Sequence, residues 1–498
     1  MSAVPSLRIR KCNQAPLRPG RGYVLYWMIA NRRLRYNFAL DRALEHCKEL
    51  GKPLVIFEAL RAGYRWASDR IHRFVLEGME DNRRVCKERG IRHLAYVEAK
   101  PGQGKGLLKE LAENACVVVT DDFPCFFLPQ MVASAAKQLD VLMEEVDANG
   151  LLPIRATDQA FQRAFDFRRY LQKELARYLG QFPVEEPFRK YKGATTPKIS
   201  NKILARWQMA SAEILRNGSI ALRALPIDHA VSPASIRGGS EAAQKRMVEF
   251  FDKGSERYGD GRSALEADAS SGFSPYLHFG HLSAHEVFAK LARKENWTRG
   301  RLSLRANGSK EGWWNMSPTA ESFLDELITW REVGYNFATH RQDYDKYDSL
   351  PEWAQFTLRK HAKDEREHVY SLEDFENGQT HDALWNAAQM QLVREGRIHN
   401  YLRMLWGKKI LQWSRKPEEA AEVMIHLNNK YALDGRDPNS YTGIFWVLGR
   451  YDRPWAPERP VFGTIRYMSS ENTARKFSVK RYIAKYSRSE SEQTRLAF

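Results

Sequence analysis

The sequence has little cysteine and no long apolar run. Its five cysteines, which lack the spacing of a metal site, are Cys12, Cys47, Cys86, Cys116 and Cys125. An odd count in a long chain is typical of reduced thiols in the cytosol or nucleus rather than of a disulfide framework. No run of about 18 apolar residues occurs, and the N-terminus lacks the apolar segment of a signal peptide. We therefore expect no membrane partner.

Glycine-rich nucleotide motifs are missing as well. No G-x-G-x-x-G pattern follows the first apolar run, and neither a phosphate-loop pattern nor a zinc-site pattern occurs in the 498 residues. The chain instead carries 78 lysines and arginines against 61 aspartates and glutamates, a formal net charge of +17. Such an excess favours a polyanionic partner, most often nucleic acid, and a basic surface that is merely solvated is the alternative.

Residues 22–150 alternate short apolar runs with helical patterns. The apolar runs cover 23–28, 53–60, 92–98, 115–120 and 141–146. Two of the intervening helices are expected to end at Gly51 and Gly90. The alternation predicts an α/β domain with a five-stranded, doubly wound parallel sheet. Such a sheet can hold a ligand at the carboxyl ends of its strands.

Strand patterns vanish after residue 200, which predicts an all-α C-terminal domain. The predicted division is a mobile basic N-terminus at 1–20, the α/β domain at 21–150, a connector at 151–200, the helical domain at 201–486 and a tail at 487–498. Ser283 with Glu286 has the spacing of a capping box, and Ser317 followed by Pro318 marks another helix start. Two further helices are expected, over 383–395 and 398–414.

Three tryptophans precede a polar loop near the C-terminus. Trp385, Trp406 and Trp413 come before the segment 428–439, which reads Asn-Asn-Lys-Tyr-Ala-Leu-Asp-Gly-Arg-Asp-Pro-Asn. Trp406 and Trp413 are seven residues apart, so on a helix they share a face about 10.5 Å apart along the axis. The loop offers hydrogen bonds to a polar heterocycle. Together they suggest a redox cofactor reached by electron transfer through tryptophan, and ordinary core packing is the alternative.

Two other patterns are compatible with ligand binding. Glu326 and Trp330 lie four residues apart on the helix that begins at Pro318, where an indole could stack on a flat ligand while the carboxylate bonds its edge. An ordinary half-buried surface pair is the alternative. The Ser/Gly segment 270–280 precedes the helix capped by Ser283 and suits an anion such as a pyrophosphate, although such loops are common.

Charged residues near the polar loop give two more candidates. Arg403 and Asp434 are candidates for a buried ion pair beside a flat cofactor, because a pair of this kind is costly unless it is fully hydrogen-bonded. The run 475–486 interleaves bases with aromatics. This fits contact with phosphates, and it fits equally an amphipathic helix whose cations are solvated.

Six segments of the chain resemble one known family. They are 274–280 (SPYLHFG), 323–327 (FLDEL), 380–389 (THDALWNAAQ), 403–411 (RMLWGKKIL), 433–439 (LDGRDPN) and 462–468 (FGTIRYM). The chain is similar, over about residues 20–486, to the class II cyclobutane pyrimidine dimer photolyases of the photolyase/cryptochrome superfamily. The resemblance implies the photolyase/cryptochrome fold, FAD in the helical domain and light-driven repair of DNA.

The resemblance also implies roles for particular residues near FAD. Those expected in the cofactor site are Tyr258, Ser270, Ser271, Phe273, Ser274, Ser283, Arg403, Asp434, Asp437 and Asn439. Asn428 would face the flavin N5 atom, and Arg403 would pair with Asp434 beside the flavin ring. Electrons would reach the flavin from solvent through Trp413, Trp385 and Trp406, in that order.

The substrate side follows from the same resemblance. The residues expected to hold the flipped dimer or the DNA are Glu326, Trp330, Met404, Trp446, Arg453 and Arg466. A dimer is poorly stacked, so flipping it out of the duplex costs less than flipping normal bases. Trp330 and Trp446 would sandwich it, each stack contributing about 1–3 kcal/mol. Glu326 would hydrogen-bond its polar edge and stabilise the negative charge of the electron it receives.

The remaining expectations concern partners and location. The N-terminal domain could hold an antenna chromophore of the 8-hydroxy-deazaflavin or folate type, and another flavin or no antenna at all are the alternatives. We expect a monomer that binds DNA containing pyrimidine dimers, without a metal. It would be cytoplasmic and nucleoid-associated in a prokaryote, and nuclear in a eukaryote.

Two other functions remain open at this stage. A cryptochrome-like blue-light receptor would bind FAD without repairing DNA, and it would lack the dimer pocket that Glu326, Trp330, Met404 and Trp446 indicate. A DNA-binding module without a cofactor would purify as colourless protein. Bound flavin and repair activity therefore separate the three hypotheses.

Overall fold

An α/β region and a helical region make up the described part of the chain. The computed structural model describes residues 4–189, 191, 196–216, 222–261 and 269–487. The six strands in these ranges are β1 Ile9–Lys11, β2 Tyr23–Met28, β3 Leu54–Leu60, β4 Arg92–Val97, β5 Ala115–Asp121 and β6 Met143–Val146. Each of the five predicted runs differs from its strand by two residues or fewer at either end.

The sheet has one strand more than the sequence predicts. Its order is β1-β6-β5-β2-β3-β4, and the five predicted strands are parallel. β1 runs antiparallel to β6 at the edge, with Ile9 opposite Val146. The prediction of a mobile N-terminus is therefore wrong for β1. With Arg10 and Lys11 exposed, this three-residue strand lacks an apolar pattern that the sequence could reveal.

Burial on both faces explains why the central strands are continuous apolar runs. All six residues of β2 and all seven of β5 are buried. Along β2, Leu25 and Trp27 contribute to a core that continues into the helical region, whereas Val24 and Tyr26 belong to a core on the opposite face of the sheet. This is the pattern expected of a parallel sheet covered on both sides.

Helices are the other main element of the described ranges, joined by turns and loops. They are α1 Phe38–Leu50, α2 Asp69–Glu88, α3 Leu107–Ala112, α4 Leu128–Ala136, α5 Ala164–Glu174, α6 Asn201–Arg206, α7 Ala212–Arg216, α8 Ser240–Glu249, α9 Tyr258–Gly261, α10 Ser274–His278, α11 Ala284–Lys294, α12 Pro318–Leu324, α13 Arg331–His340, α14 Glu352–Lys360, α15 Leu372–Asn377, α16 Ala383–Glu395, α17 Asn400–Trp413, α18 Pro417–Tyr431, α19 Pro438–Val447, α20 Ser470–Lys476 and α21 Lys480–Tyr486. No helix in the described ranges is long and apolar enough to cross a bilayer. All five cysteine thiols are free.

Helix starts follow the predicted capping residues, with one difference. Ser317 accepts a hydrogen bond from the backbone N–H of Ala320 and begins α12. Ser283 caps α11 by accepting from the backbone N–H of His285. The predicted capping box is wrong, because the Glu286 carboxylate forms an ion pair of 2.8 Å with Arg35 instead. A charge partner from the α/β region thus outcompetes the local cap.

The helix that begins at Pro318 is interrupted by a π-helical turn. This turn, Asp325–Trp330, lies between α12 and α13. Asp325 pairs with Arg168 at 2.8 Å, and both side chains are buried. Arg168 lies on α5, within the segment predicted as a connector, so part of that segment is packed into the helical core. π-helical turns are rare and are frequent at functional sites.

The two regions touch through closely approaching backbone. Gly280 adopts φ 69°, and a Cβ atom there would lie 2.0 Å from the carbonyl oxygen of Ala30. Arg33 donates to the Gly280 carbonyl at 3.1 Å, and the buried Arg70 donates to the Tyr431 carbonyl at 2.7 Å. The left-handed backbone and the missing Cβ both require glycine at position 280.

A buried neutral histidine near this contact predicts acid sensitivity. His281 is fully buried, and its Nδ1 accepts a hydrogen bond from the Gly239 N–H at 2.9 Å. Burial lowers the pKa of His281 to about 3. The unfolded chain takes up this proton near pH 6.5 and the folded chain does not, so stability falls as the pH falls, by about 2 kcal/mol at pH 5. We expect His281→Asn, which can still accept the hydrogen bond, to remove that contribution.

Urea unfolding at pH 7 and pH 5 measures this effect. The matched control is His229→Asn, because the His229 side chain is 44% exposed. We expect the control to keep the pH dependence of the wild type. Equal losses of unfolding free energy in the wild type and in His281→Asn would contradict the assignment.

Candidate functional site

The predicted ion pair forms at the centre of the candidate site. Arg403 on α17 lies 3.2 Å from Asp434, and their side chains are 21% and 15% exposed. Burial raises the pKa of the Asp434 carboxyl, but Arg403 and a hydrogen bond from Ser274 outweigh burial and hold the pKa below its ordinary value. Asp434 is therefore ionised at neutral pH. The pair presents a guanidinium and a carboxylate on a partly open surface.

The segment 270–274 lies beside this pair and is stabilised by an arginine that the sequence did not single out. Arg246 on α8 donates to the carbonyls of Ser270 and Ser271, each at 2.8 Å. Ser274 is the first residue of α10, and its exposed side chain links the segment to Asp434. We refer to Ser270, Ser271, Ser274, Arg403 and Asp434 as the cofactor cradle. Hydroxyl groups, a nearby guanidinium and a helix N-terminus together favour an anionic ligand.

Asp437 and Asn439 lie at the start of α19. Asp437 caps this helix by accepting from the Asn439 N–H at 2.9 Å, and it is 6% exposed. Its other oxygen lies 3.3 Å from Nδ1 of His278. The Asn439 side chain is exposed. Asp437 thus orients the segment that carries Asp434, and a direct cofactor contact for either residue stays a prediction.

Three other predicted cofactor residues make packing or capping contacts. The rings of Tyr258 and Phe273 are 8% and 2% exposed and pack edge-on against Phe250. Phe323 completes this aromatic cluster. Ser283 is 1% exposed, and its hydroxyl caps α11. Packing and helix capping are sufficient to explain these three residues, so their part in cofactor binding stays a prediction.

Asn428 is oriented by a neighbouring helix. Its amide is 3% exposed near the end of α18, and Nδ2 donates to the Ser440 hydroxyl of α19 at 2.7 Å. The next residue, Asn429, is fully buried, accepts from the Arg436 N–H and donates to Tyr441. Of the two adjacent asparagines, Asn429 therefore has a structural role, and Asn428 has a side-chain amide whose orientation is fixed by Ser440.

The three predicted tryptophans form a buried series. Trp406 and Trp385 are 3% and 0% exposed, and the Trp385 Nε1 donates to the Trp406 carbonyl at 3.0 Å. The Trp406 Nε1 donates to Gln389 at 2.9 Å. The rings of Trp385 and Trp413 are 5.8 Å apart. Trp385 therefore contacts both Trp406 and Trp413, and the predicted direction of electron transfer along the series stays a prediction.

Trp413 does not reach solvent, which corrects its expected position. It is 2% exposed and is covered by Tyr370 and His381, whose ring centroids lie 5.6 and 5.0 Å away. The Tyr370 hydroxyl lies 2.7 Å from Nδ1 of His381, and Tyr370 is half-buried whereas His381 is exposed. Tyr370 and His381 therefore lie between Trp413 and solvent. His381 lies in a matched motif, whereas no sequence signal identifies Tyr370.

Glu326 and Trp330 both lie on the π-helical turn. They are the half-buried residues of this turn, and the remaining four are buried. Their spacing therefore differs from the α-helical one that the sequence suggested, but both side chains still face the more open side. The Trp330 ring lies 6.5 Å from that of Tyr451, edge-on.

A second half-buried indole is surrounded by cations. Lys408 Nζ and the Arg466 guanidinium carbon lie 5.1 and 5.7 Å from the Trp446 ring centroid. Arg466 and Arg453 also stack on Trp455, at 4.8 and 4.7 Å, and both arginines are exposed. Met404 is half-buried on α17. Sequence reasoning missed Lys408, although two adjacent lysines, Lys408 and Lys409, between apolar residues of this helix were a usable signal.

The basic run 475–486 forms amphipathic helices. Tyr482 and Tyr486 are buried, and their hydroxyls donate to Gln391 and Glu395 of α16. The cations of the run are exposed. Tyr482 and Tyr486 are therefore core residues rather than stacking platforms, and contact of the exposed cations with phosphates stays a prediction.

A cavity of about 620 Å³ opens at the carboxyl ends of the parallel strands. Its walls on the α/β side include Tyr96 and Phe126, and His278, Phe279 and Arg436 close it from the helical region. This is the edge where the sheet topology predicted a ligand. Among the described residues, no group of three or more acidic, histidine or cysteine side chains is arranged to hold a metal ion.

The sequence is similar to proteins named deoxyribodipyrimidine photo-lyase. It is 33% identical over 479 residues to that of Methanothermobacter thermautotrophicus, covering 96% of this chain and 97% of the relative. It is 34% identical to that of Arabidopsis thaliana, covering 96% and 91%, and 32% identical to that of Potorous tridactylus, covering 93% and 81%. No protein-family model matches the chain.

Solved structures share the fold at lower identity. A bacterial class III photolyase from Agrobacterium tumefaciens superposes with a TM-score of 0.67 at 17% identity, covering 94% of this chain and 86% of that one. A cryptochrome from Synechocystis sp. PCC6803 also gives 0.67, at 15% identity, covering 98% and 89%. These similarities establish the architecture of an α/β region followed by a helical region.

Proposed function

The chain belongs to the family of deoxyribodipyrimidine photo-lyases, and from this membership we infer that it repairs pyrimidine dimers in DNA by a light-dependent reaction. The observation that carries the inference is similarity to proteins of that name over nearly the whole of both chains. The six motifs further support class II and the cyclobutane dimer as the lesion. The cavity, the buried indoles and the exposed arginines agree with a flavoenzyme that acts on a polyanion.

FAD is the cofactor that the family implies, and the cradle residues fit it. The hydroxyls of segment 270–274 and the N-terminus of α10 suit a pyrophosphate. The Arg403–Asp434 pair, half-buried and hydrogen-bonded to Ser274, suits the polar edge of a flavin ring. Asn428, with its amide fixed by Ser440, would hydrogen-bond the ring at N5. When bound and reduced, FAD supplies the electron that light transfers to the dimer.

The protein's own residues bind and orient the dimer. Trp330 and Trp446 are half-buried indoles on different helices, and they would enclose the flipped dimer with Met404. Glu326 lies on the turn that carries Trp330 and would hydrogen-bond the dimer's polar edge. Side chains of this kind stabilise negative charge best when they are fixed before the reaction. Here the Arg168–Asp325 pair fixes the turn.

DNA contacts fall to exposed cations around the dimer site. Arg453 and Arg466, stacked on Trp455, have free surface beside Trp446. Arg453 would fill the gap that the flipped dimer leaves in the duplex. The cations of 475–486 extend the positive surface.

The cavity at the sheet edge is proposed as an antenna site. Its volume of about 620 Å³ suits a drug-sized flat molecule, and its walls are mainly aromatic and aliphatic. A deazaflavin or a folate fits this description. Difference absorbance and mass spectrometry of protein reconstituted with each compound would identify the ligand.

A light-dependent repair assay tests the proposed function. Reduced, FAD-loaded protein is mixed with an oligonucleotide that carries one thymine cyclobutane dimer, and ultraviolet absorbance is followed under blue light and in the dark. Recovery of thymine absorbance only in the light supports repair. No recovery in protein with bound, photoreducible flavin would favour a light sensor, and a (6-4) lesion in a parallel sample tests the lesion class.

Trp406→Phe should slow photoreduction of oxidised flavin. Phenylalanine is much harder to oxidise than indole, and an added barrier of about 1.4 kcal/mol already slows a step tenfold, so we expect a loss of at least about tenfold. The rate of photoreduction is measured as the loss of absorbance at the oxidised flavin band during illumination with blue light. Repair by protein that has been reduced chemically should persist.

A matched control separates electron transfer from packing. Trp353→Phe replaces a partly buried tryptophan of α14 that is not in the Trp406–Trp385–Trp413 series. Its photoreduction rate should match the wild type. Collapse of repair by chemically reduced Trp406→Phe would show that the electron-path assignment is wrong or incomplete.

A further inference from the structure

Lys408 is a fully buried lysine near the middle of α17. Its Nζ donates to the Val447 carbonyl at 2.5 Å. Within the described ranges, Lys408 forms no ion pair with a carboxylate. Burying an ammonium group without a paired charge is costly, so a residue of this kind is a candidate for a function that requires its charge.

The charged groups that face Lys408 come from two segments. Asp452 raises the pKa of Lys408 and Arg466 lowers it, but burial is the largest influence and lowers the pKa to about 7. Arg466 is exposed, so solvent screens its charge, whereas the Lys408 charge acts through protein. Lys408 is thus the less screened of the two cations beside Trp446.

Trp446 separates Lys408 from the proposed dimer. The ammonium nitrogen lies 5.1 Å from the centroid of the Trp446 indole. The Trp446 side chain is half-buried, so part of it is exposed to solvent. Val447, which accepts the Lys408 hydrogen bond, is the next residue along α19. Lys408 therefore supports both the position of Trp446 and the electrostatic potential beside it.

We propose that the buried ammonium of Lys408 stabilises, across Trp446, the negative charge that the dimer carries during repair. This inference rests on the proposed function, because it places the dimer against Trp446. One electron enters the dimer, two carbon–carbon bonds of the cyclobutane ring break, and the electron leaves again. Lys408 keeps its proton throughout, does not touch the substrate and acts as a positioning residue.

The sign of the effect follows from Coulomb's law. A fixed positive charge behind the indole favours arrival of the electron on the dimer and opposes its early return. A neutral side chain at the same place leaves stacking intact and removes this bias. Binding of the uncharged dimer should therefore depend little on Lys408, whereas the yield of ring opening should depend strongly on it.

Lys408→Met and Lys408→Gln test this separation in full-length, FAD-loaded, chemically reduced protein. Two quantities are measured: the dissociation constant for a dimer-containing oligonucleotide in the dark, and the dimers repaired per absorbed photon. We expect repair per photon to fall about tenfold in both variants, with dark binding within about twofold of wild type. Gln keeps a donor for the Val447 carbonyl, so it distinguishes the charge from the hydrogen bond.

Lys409→Met is the matched control. Lys409 is the next residue, is 5% exposed, and its Nζ lies 5.2 Å from another indole, that of Trp413. The control removes a buried ammonium group of the same helix without changing the surroundings of Trp446. We expect the reduced control protein to repair at the wild-type yield.

The pH profile adds a readout that a purely structural role would not change. In the wild type, repair per photon should fall as rising pH removes the Lys408 proton, and in both variants it should stay flat over that range. The melting temperature of Lys408→Gln at pH 7 should be equal to or above the wild-type value, because this variant removes a buried charge and keeps a donor for the Val447 carbonyl.

Several results would overturn the inference. The first is a wild-type number of dimers repaired per absorbed photon in Lys408→Gln. The second is a variant that weakens binding of the oligonucleotide in the dark but repairs normally. The third is the same pH dependence of repair in the wild type and the variants. Absence of light-dependent repair by the wild type would overturn the proposed function together with the inference. Repair by the wild type with unchanged yield in the variants would overturn the inference alone.

Discussion

Glu326→Ala is expected to reduce light-dependent repair by about 100-fold or more, the usual effect of removing one preorganised group that stabilises developing charge. Bound flavin should be retained, because Glu326 lies outside the cofactor cradle. Initial repair rates at saturating oligonucleotide, together with the flavin-to-protein ratio, measure both quantities.

The expected loss of repair activity in Glu326→Ala depends on how firmly the Glu326 carboxyl group is held in the wild type. Glu326 lies on the π-helical turn next to Asp325, whose bidentate contacts with Arg168 are 2.8 and 3.1 Å long. These contacts hold the backbone that carries Glu326 in place before the electron arrives. Preorganisation of this kind gives a single group a large effect on rate.

Two variants sharpen the test. Glu326→Gln keeps hydrogen-bonding capacity without an ionisable group, so we expect an intermediate loss. Glu352→Ala removes an exposed carboxylate from α14 and should repair like the wild type. Unchanged repair in Glu326→Ala would remove Glu326 from the mechanism.

DNA binding should weaken steeply with salt. Each phosphate contact contributes about 0.9 to the slope of log affinity against log salt, so about five contacts make a fourfold rise in salt weaken binding roughly 500-fold. The exposed cations that would supply these contacts are Arg453, Arg466, Arg475, Lys476, Lys480, Arg481 and Lys485. Fluorescence anisotropy from 50 to 200 mM salt is the measurement.

Single variants test whether the contacts are local. Arg466→Gln should lower the slope by about 0.9. Lys87→Gln removes an equal charge from α2 in the α/β region, where Lys87 is exposed, and should leave the slope unchanged. A flat salt response of the wild type would contradict the basic surface, and equal slopes for Arg466→Gln and wild type would exclude Arg466 as a contact.

Much of the architecture was predictable because buried parallel strands have strong patterns. The run at 23–28 is apolar throughout, and the run at 115–120 is apolar except for its last residue, Thr120. The helix predicted over 383–395 has those bounds in the structure. The helix predicted over 398–414 begins two residues later and ends one earlier. Local signals decide these elements, so the sequence is sufficient for them.

Other features depend on contacts between distant segments. β1 forms because β6 offers an edge, and the carboxylate of Glu286 leaves its own helix cap because Arg35 lies near. The π-helical turn changes the spacing between Glu326 and Trp330, which a regular helical pattern cannot show. The ion pair Arg403–Asp434 was predictable from its loop, but the burial of Lys408 required the packing of α19.

The wall between the sheet-edge cavity and the cofactor cradle has a consequence for energy transfer. His278, Phe279 and Arg436 line the cavity, while Ser274 and Asp434, a few residues away in the same two segments, belong to the cradle. Gly280 locks one of these segments against the backbone of Ala30. Transfer of excitation between chromophores falls steeply with distance. A chromophore in the cavity would therefore stand at a separation set by two short stretches of backbone, so the efficiency of energy transfer would depend on how closely those stretches keep their conformation.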